Sequence, residues 1–127
     1  SKAIELDPDL ATAYANRAEA HLRSNNLFEA VEDSSSALTR DSSILGARVS
    51  RSISYLGMEE YNKAFEDANI VLSQLADYPE ALFVRGASQL WITGGEKGHA
   101  DLRKVVELSN TKSLVEAAAS MLSFYDK

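Results

Sequence analysis

The side chains that most often perform catalysis or bind metals are scattered in this sequence. His21 and His99 are the only histidines, there is no cysteine, and no carboxylate pair lies at metal-ligand spacing from either histidine. No nucleophile elbow or ordered Ser-His-Asp triad is visible. Residues 93–99 (TGGEKGH) lack the Gly-Lys-Ser/Thr ending of a phosphate-binding loop and follow no predicted strand. The sequence therefore predicts no enzyme, no metal site and no cofactor.

The charged residues that do recur at a fixed interval are the arginines Arg17, Arg51 and Arg85, which are equally spaced along the chain. They could form a cationic ladder that binds an acidic ligand. Alternatively, they could pair with acidic neighbours at the surface between repeats and lay their stems over apolar atoms. We favour pairing, and charge reversal at Arg51 should then leave partner binding unchanged.

The overall charge restricts the class of partner. The chain of 127 residues carries 13 basic and 19 acidic residues, for a net charge of -6 at pH 7. Nucleic acids and anionic membranes attract basic surfaces, so neither is an expected partner. The sequence has no apolar run long enough to span a bilayer, and its lack of cysteine fits a reducing compartment. We therefore expect a cytoplasmic protein with no direct membrane insertion.

The interval between these arginines also relates small and apolar positions, in three copies that align without an insertion. Two of the aligned columns hold only small residues, which would let two helices cross closely. One interval upstream, Ala3 and Ile4 take the places of Ala37 and Leu38. The aligned sets are Ala18, Ser52 and Gly86; Ala30, Ala64 and Gly98; Asp33, Asp67 and Asp101; Ala37, Val71 and Val105; and Leu38, Leu72 and Val106.

Within each copy, apolar residues follow two helical patterns separated by a polar turn. The turns are predicted at 24–26, 57–59 and 93–95. The segments 7–9, 41–43 and 77–79 should stop helices and supply N-caps between copies. Asn26 and Glu29 have the spacing of a capping box, as do Ser113 and Glu116. No segment alternates as a strand does, so the pattern predicts an all-α chain of helical hairpins.

These features resemble the tetratricopeptide repeat (TPR), a helix-turn-helix unit of about 34 residues. The resemblance covers essentially the whole chain. Departures occur at Ser34, Ser42 and Arg48, where the family has an aromatic residue, Pro and an aromatic residue, and at Gly98 in place of Ala. The matching residues are Tyr14, Ala18, Leu27, Ala30 and Ala37 in the first copy, Tyr55, Tyr61, Ala64 and Leu72 in the second, and Gly86 in the third.

The resemblance implies a single domain that forms an α-α superhelix, or solenoid. We assign the end of a truncated repeat to 1–10, full repeats to 11–44, 45–78 and 79–112, and a C-terminal capping helix to 113–127. This last helix should cover the exposed edge of the third repeat with an apolar stripe. Its stripe comprises Leu114, Ala118, Met121 or Leu122, and Tyr125.

The resemblance further implies that the first helices of the repeats line a concave groove, which holds a peptide segment of a partner protein. The third copy contributes an apolar stripe, which either contacts a hydrophobic side chain of the ligand or is covered by the terminal helix. The assigned groove residues are Thr12, Ala15, Asn16, Glu19 and Arg23; Val49, Ser50 and Ile53; and Glu80, Phe83, Val84, Ala87, Leu90 and Trp91.

Residues 14–20 (YANRAEA) are similar to the chaperone-binding TPR modules, which clamp the terminal carboxylate of chaperones that end in Glu-Glu-Val-Asp. Asn16 matches the middle asparagine of that clamp. Gly46 and Ser50 occupy the places of the lysine and arginine that the clamp takes from its third repeat, whereas Arg48 and Arg51 should point to other faces. The lysine and asparagine that the clamp takes from its first repeat would lie upstream of Ser1. A clamped carboxylate needs convergent cations to offset its desolvation. We therefore expect Asn16 to hydrogen-bond the backbone of an extended ligand or to face solvent.

Two functional hypotheses remain open. The first is a scaffold or adaptor module that binds other proteins or peptide segments, with a co-chaperone-like role as one form of it. The second is a structural module that self-associates into a homo-oligomer, because an exposed hairpin edge can pair with another copy. Light scattering would separate them, since a monomer at all concentrations excludes the second.

Overall fold

The computed structural model describes residues 8–94 and 96–125, and the side chains of all of these except 8, 96, 97, 124 and 125. The described residues form seven α-helices and no strand, as the pattern predicted. The assignment of 1–10 to a truncated repeat, with Ala3 and Ile4, falls almost entirely outside the described residues. The helices are α1 Pro8–Arg23, α2 Leu27–Arg40, α3 Leu45–Gly57, α4 Tyr61–Gln74, α5 Pro79–Ile92, α6 Glu96–Leu108 and α7 Lys112–Tyr125.

The helices form two layers. Each helix packs against the next in sequence, and α1 also packs against α3, α3 against α5, and α5 against α7. Among the described residues, no two even-numbered helices pack against each other to a comparable extent. The odd-numbered helices are therefore the more closely spaced layer, which places them on the concave side of a curved stack.

Small residues permit the close crossing of the two helices in each hairpin, as predicted. Ala18, Ala30 and Ala64 are completely buried. The approach is closest between α5 and α6, where a Cβ added to Gly86 would lie 2.9 Å from the carbonyl oxygen of Gly98. The third repeat therefore uses glycine in both columns because the backbones leave no room for a methyl group.

The terminal helix α7 extends the main hydrophobic core. Ala118 is completely buried, and Leu114, Met121 and Leu122 pack against a core that includes Leu82, Leu102 and Val105. This is the stripe that the sequence predicted, except that the side chain of Tyr125 lies outside the described residues. The helix packs on α6 and α5, so it takes the position that the first helix of a further repeat would occupy.

The predicted capping box at Asn26 and Glu29 is wrong. Asn26 has φ -90° and ψ 74°, and its side chain makes no capping hydrogen bond. Its backbone instead takes part in the C-terminal end of α1. Asn25 adopts a left-handed conformation with φ 61°, and the Asn26 N–H donates to the His21 carbonyl at 2.8 Å. Glu59 adopts the same left-handed conformation as Asn25 in the turn of the second hairpin, with φ 63°.

The polar N-caps predicted in the segments 41–43 and 77–79 are wrong as well, whereas Asp7 of the segment 7–9 lies outside the described residues. The residues before α3 and α5 are Ile44 and Tyr78, and neither makes a side-chain capping bond. Both pack against the apolar clusters instead, so these positions serve contacts between repeats.

Helix α7 begins at Lys112, and the Val115 N–H donates to the Thr111 carbonyl at 3.0 Å. Ser113 therefore lies in the first turn and does not cap the helix.

Candidate functional site

The predicted groove residues on α1 form an exposed polar face. Thr12, Asn16, Glu19 and Arg23 are all exposed, and Ala15 is half-buried. Arg23 Nη2 donates to Glu19 Oε1 at 2.6 Å, a pairing one helical turn apart. The amide of Asn16 can both donate and accept hydrogen bonds, so this face can pair with the backbone of an extended peptide.

The predicted groove residues on α3 and α5 are less accessible. Ile53 and Phe83 pack against the main core, and Glu80 is half-buried. Trp91 differs from the other predicted groove residues on α5 because the residue is largely exposed, at 60%. The middle and end of this face therefore offer a ligand only partial side-chain surfaces and one exposed indole.

Five predicted groove residues are buried and do not form an open surface. Helix α5 is surrounded by α3, α4, α6 and α7, so most of its circumference is covered. The apolar stripe of the third repeat is therefore largely core, and we correct its assignment to the groove accordingly. The buried residues are Val49, Ser50, Val84, Ala87 and Leu90.

Tyr78, which precedes α5, is a member of this region that sequence analysis missed. Burial raises the pKa of its hydroxyl above the ordinary value, and the negative charges of Glu80 and Glu19 raise it further. Glu19 lies on α1 and Glu80 on α5, so carboxylates from the first and third repeats act on one phenol. The sequence signal that could have identified Tyr78 is an aromatic residue directly before Pro79, at the junction of two repeats.

The two places that the resemblance assigns to the third-repeat lysine and arginine of a carboxylate clamp carry no cation. Gly46 has open space around it and Ser50 is buried. Arg51 instead binds Asp67 through two bonds, Nε to Oδ2 at 2.7 Å and Nη2 to Oδ1 at 2.9 Å. Arg48 adds a bond from Nη1 to Asp67 Oδ1 at 3.3 Å. Both arginines therefore point away from the clamp positions, as predicted.

The other two recurring arginines make the same paired contact. Arg17 binds Asp33 at 2.6 and 2.8 Å, and Arg85 binds Asp101 at 2.7 and 2.9 Å. The prediction that these arginines pair with acidic side chains is therefore confirmed. Each pair joins the two helices of one repeat, so the predicted location between repeats is wrong. Arg85 contacts the preceding repeat through an uncharged partner, because its Nη1 donates to Asn69 Oδ1 at 3.0 Å.

The pair at Asp33 makes stability depend on pH. The Arg17 hydrogen bond lowers the pKa of the Asp33 carboxyl, against the opposing effect of burial. A lowered folded-state pKa contributes stability above the unfolded pKa of about 3.9, and that contribution is lost as pH falls through the folded pKa. Urea unfolding at several pH values should show Asp33→Asn less stable than wild type near neutrality. The difference should shrink in acid, and a difference that persisted at the lowest pH would contradict this origin.

Within residues 8–94 and 96–125, no group of three or more His, Cys, Asp or Glu side chains is arranged so that it could hold a metal ion. None of the described helices has the length and apolar character needed to cross a membrane.

Comparison with solved structures decides the fold. The first TPR of Spaghetti (RPAP3), bound to the HSP90 peptide SRMEEVD, superposes on 98% of this chain and 99% of its own, with a TM-score of 0.79 and 18% identity. The chain folds as a TPR domain. The Arabidopsis OM64 TPR domain covers 91% of this domain and 96% of its own chain, with a TM-score of 0.79 and 15% identity.

Further comparisons with this TPR domain give one more structure and one curated protein. The second TPR domain of human RPAP3, in complex with the HSP70 peptide SGPTIEEVD, covers 95% of this chain and 99% of its own, with a TM-score of 0.78 and 19% identity. A protein SGT1 homolog of Oryza sativa subsp. japonica is 38% identical over 64 residues, which are 50% of this chain and 17% of that protein. No protein-family model matches the chain.

Proposed function

We propose that this TPR domain is a protein-interaction module that binds an extended peptide segment of a partner protein on its concave side. The observation that carries the proposal is the superposition of nearly the whole chain on a TPR domain solved with the HSP90 peptide SRMEEVD. The exposed polar face of α1 supports it, because Asn16 and its neighbours present hydrogen-bonding groups that helix packing does not use.

The chemistry of the groove favours an internal segment of the partner over a free C-terminus. The clamp places of the third-repeat lysine and arginine hold Gly46 and the buried Ser50, so they offer no cation to a terminal carboxylate, while Glu19 and Glu80 add negative charge to the same side of the domain. The ligand should therefore be neutral or basic along most of its length. A co-chaperone-like role, which the likeness to a protein SGT1 homolog suggests, would then use contacts other than a carboxylate clamp.

Affinity capture from a lysate of the source cells tests the proposal. The variant Asn16→Arg places a long side chain on the exposed face of α1, and Glu66→Arg places the same side chain on the exposed face of α4. Both sites are exposed, so circular dichroism should show equal folding. By contrast, glutamates at Ile53 and Phe83 would be half-buried against the core and would confuse binding with stability.

We expect the wild type and Glu66→Arg to capture the same proteins and Asn16→Arg to lose them. Equal capture by all three would place the binding surface elsewhere and overturn the proposal.

Elution with SRMEEVD and with its C-terminal amide tests the clamp. A charge-assisted clamp would make the free acid elute at least about tenfold more effectively, whereas we expect the two peptides to be equivalent.

A further inference from the structure

An open cleft of about 410 Å³ separates the turn of the second hairpin from the end of α5. On one side lie Glu59 and Glu60 of the turn with the first residues of α4, and on the other lie Trp91 and Ile92. Apart from Trp91, none of these residues belongs to the groove assigned above. The cleft is therefore a separate candidate surface at the edge of the domain.

The aromatic side chains give this cleft a defined wall. The rings of Tyr61 and Trp91 are stacked, with centroids 5.3 Å apart and planes inclined by 8°. Trp91 is nevertheless 60% exposed, and its neighbour Ile92 is 39% exposed. Tyr61 thus holds one face of the indole in place, and the remaining exposed part of Trp91 is an accessible aromatic surface.

The fold does not require a tryptophan at this place. The corresponding contact one repeat earlier joins Leu27 and Gly57. There the leucine side chain lies over a residue without any side chain, within 2.7 Å of where a Cβ would be. Because packing between repeats is satisfied by glycine at this position, the exposed area of Trp91 is available for a ligand.

The charges around the aromatic wall favour a cationic ligand. Glu60 is paired with Lys63 at 3.3 Å, and the second carboxylate, Glu59, makes the acidic side chains outnumber the basic one in the lining. The face of an indole attracts cations through its quadrupole, and tryptophan does so best among the aromatic side chains. The net charge of -6 on the whole chain adds a general attraction for basic segments.

We propose that this cleft binds an arginine or lysine side chain of a partner protein, with the cation against the exposed part of the Trp91 indole and attracted by Glu59 of the same lining. Ile92 supplies an aliphatic contact for the residue that flanks the cation. The site would act as a second contact beside the concave groove and does not depend on the groove proposal.

The test uses the fact that Trp91 is the only tryptophan of the chain, so tryptophan emission under selective excitation reports on the surroundings of Trp91, and the groove control separates the cleft from the groove. The probe is the peptide acetyl-Gly-Leu-Arg-Leu-Gly-amide, titrated to several millimolar. Its matched control contains citrulline in place of arginine, which keeps the shape and removes the charge. Protein variants are Glu59→Gln, with Glu66→Gln as an exposed control on α4 and Asn16→Ala as a groove control.

We expect a saturable change in Trp91 emission with the arginine peptide, and affinity about two- to fivefold lower for the citrulline peptide and for Glu59→Gln. Glu66→Gln and Asn16→Ala should bind as the wild type does. Equal affinity for both peptides, or no change in emission, would overturn the proposal. Emission that changes with protein concentration in the absence of peptide would also overturn it, because the occupant would then be a second copy of the chain.

Discussion

Replacing Asp67 with alanine is expected to lower the free energy of unfolding by about 3–5 kcal/mol. The Asp67 side chain is only 5% exposed and accepts three hydrogen bonds from Arg48 and Arg51. Those arginine side chains are themselves 13% and 21% exposed. Without the carboxylate, two largely buried guanidinium groups would lose their counter-charge, and water could not fully replace it.

Asp33→Ala is the matched control, because it removes the equivalent carboxylate of the first repeat. Its partner Arg17 has a side chain that is 63% exposed, so the guanidinium would remain hydrated after the pair is broken. Equilibrium urea unfolding followed by circular dichroism should therefore give a much smaller loss for Asp33→Ala than for Asp67→Ala. Equal losses would mean that the burial of the cations does not control the cost.

Gly98→Ala should lower the free energy of unfolding by about 1–3 kcal/mol, although alanine favours helices over glycine by about 1 kcal/mol. A Cβ at this position of α6 would meet the carbonyl oxygen of Gly86 on α5, and Cγ of Leu90 would lie 3.1 Å away. The first obstacle is backbone, so it cannot be relieved by a rotamer change. The two helices would have to separate, and the packing of Leu102 between them would loosen.

For Gly46→Ala we expect the opposite effect, an increase in the free energy of unfolding. Gly46 lies in the first turn of α3 and has no atom within 4 Å of its Cβ position. The substitution should stabilise the protein by about 0.5–1 kcal/mol, because alanine restricts the unfolded chain without a clash. Thermal and urea unfolding of both variants check the pair of predictions. A Gly98→Ala protein as stable as Gly46→Ala would show that the α5–α6 crossing can open at little cost.

Local and periodic information was sufficient for the architecture. The recurrence that aligns Ala18 with Gly86 and Ala30 with Gly98 predicted both the number of hairpins in the described chain and the positions of their closest crossings. The residues 24–26 and 57–59 correctly predicted the turns of the first two hairpins. The chemistry of the caps was missed, because it depends on backbone angles that a sequence motif such as Asn26 with Glu29 does not specify.

The candidate site was only partly predictable for a related reason. The sequence by itself determined the period, the helices, the small residues at the crossings and the lack of a cation at Gly46 and Ser50. Only the tertiary structure decided that Asp67 binds two arginines, that Val84 and Ala87 are core, and that Trp91 stacks on Tyr61 while staying exposed. Burial and pairing arise from contacts between helices far apart in the chain, and a helical pattern identifies an apolar face without saying which neighbours cover it.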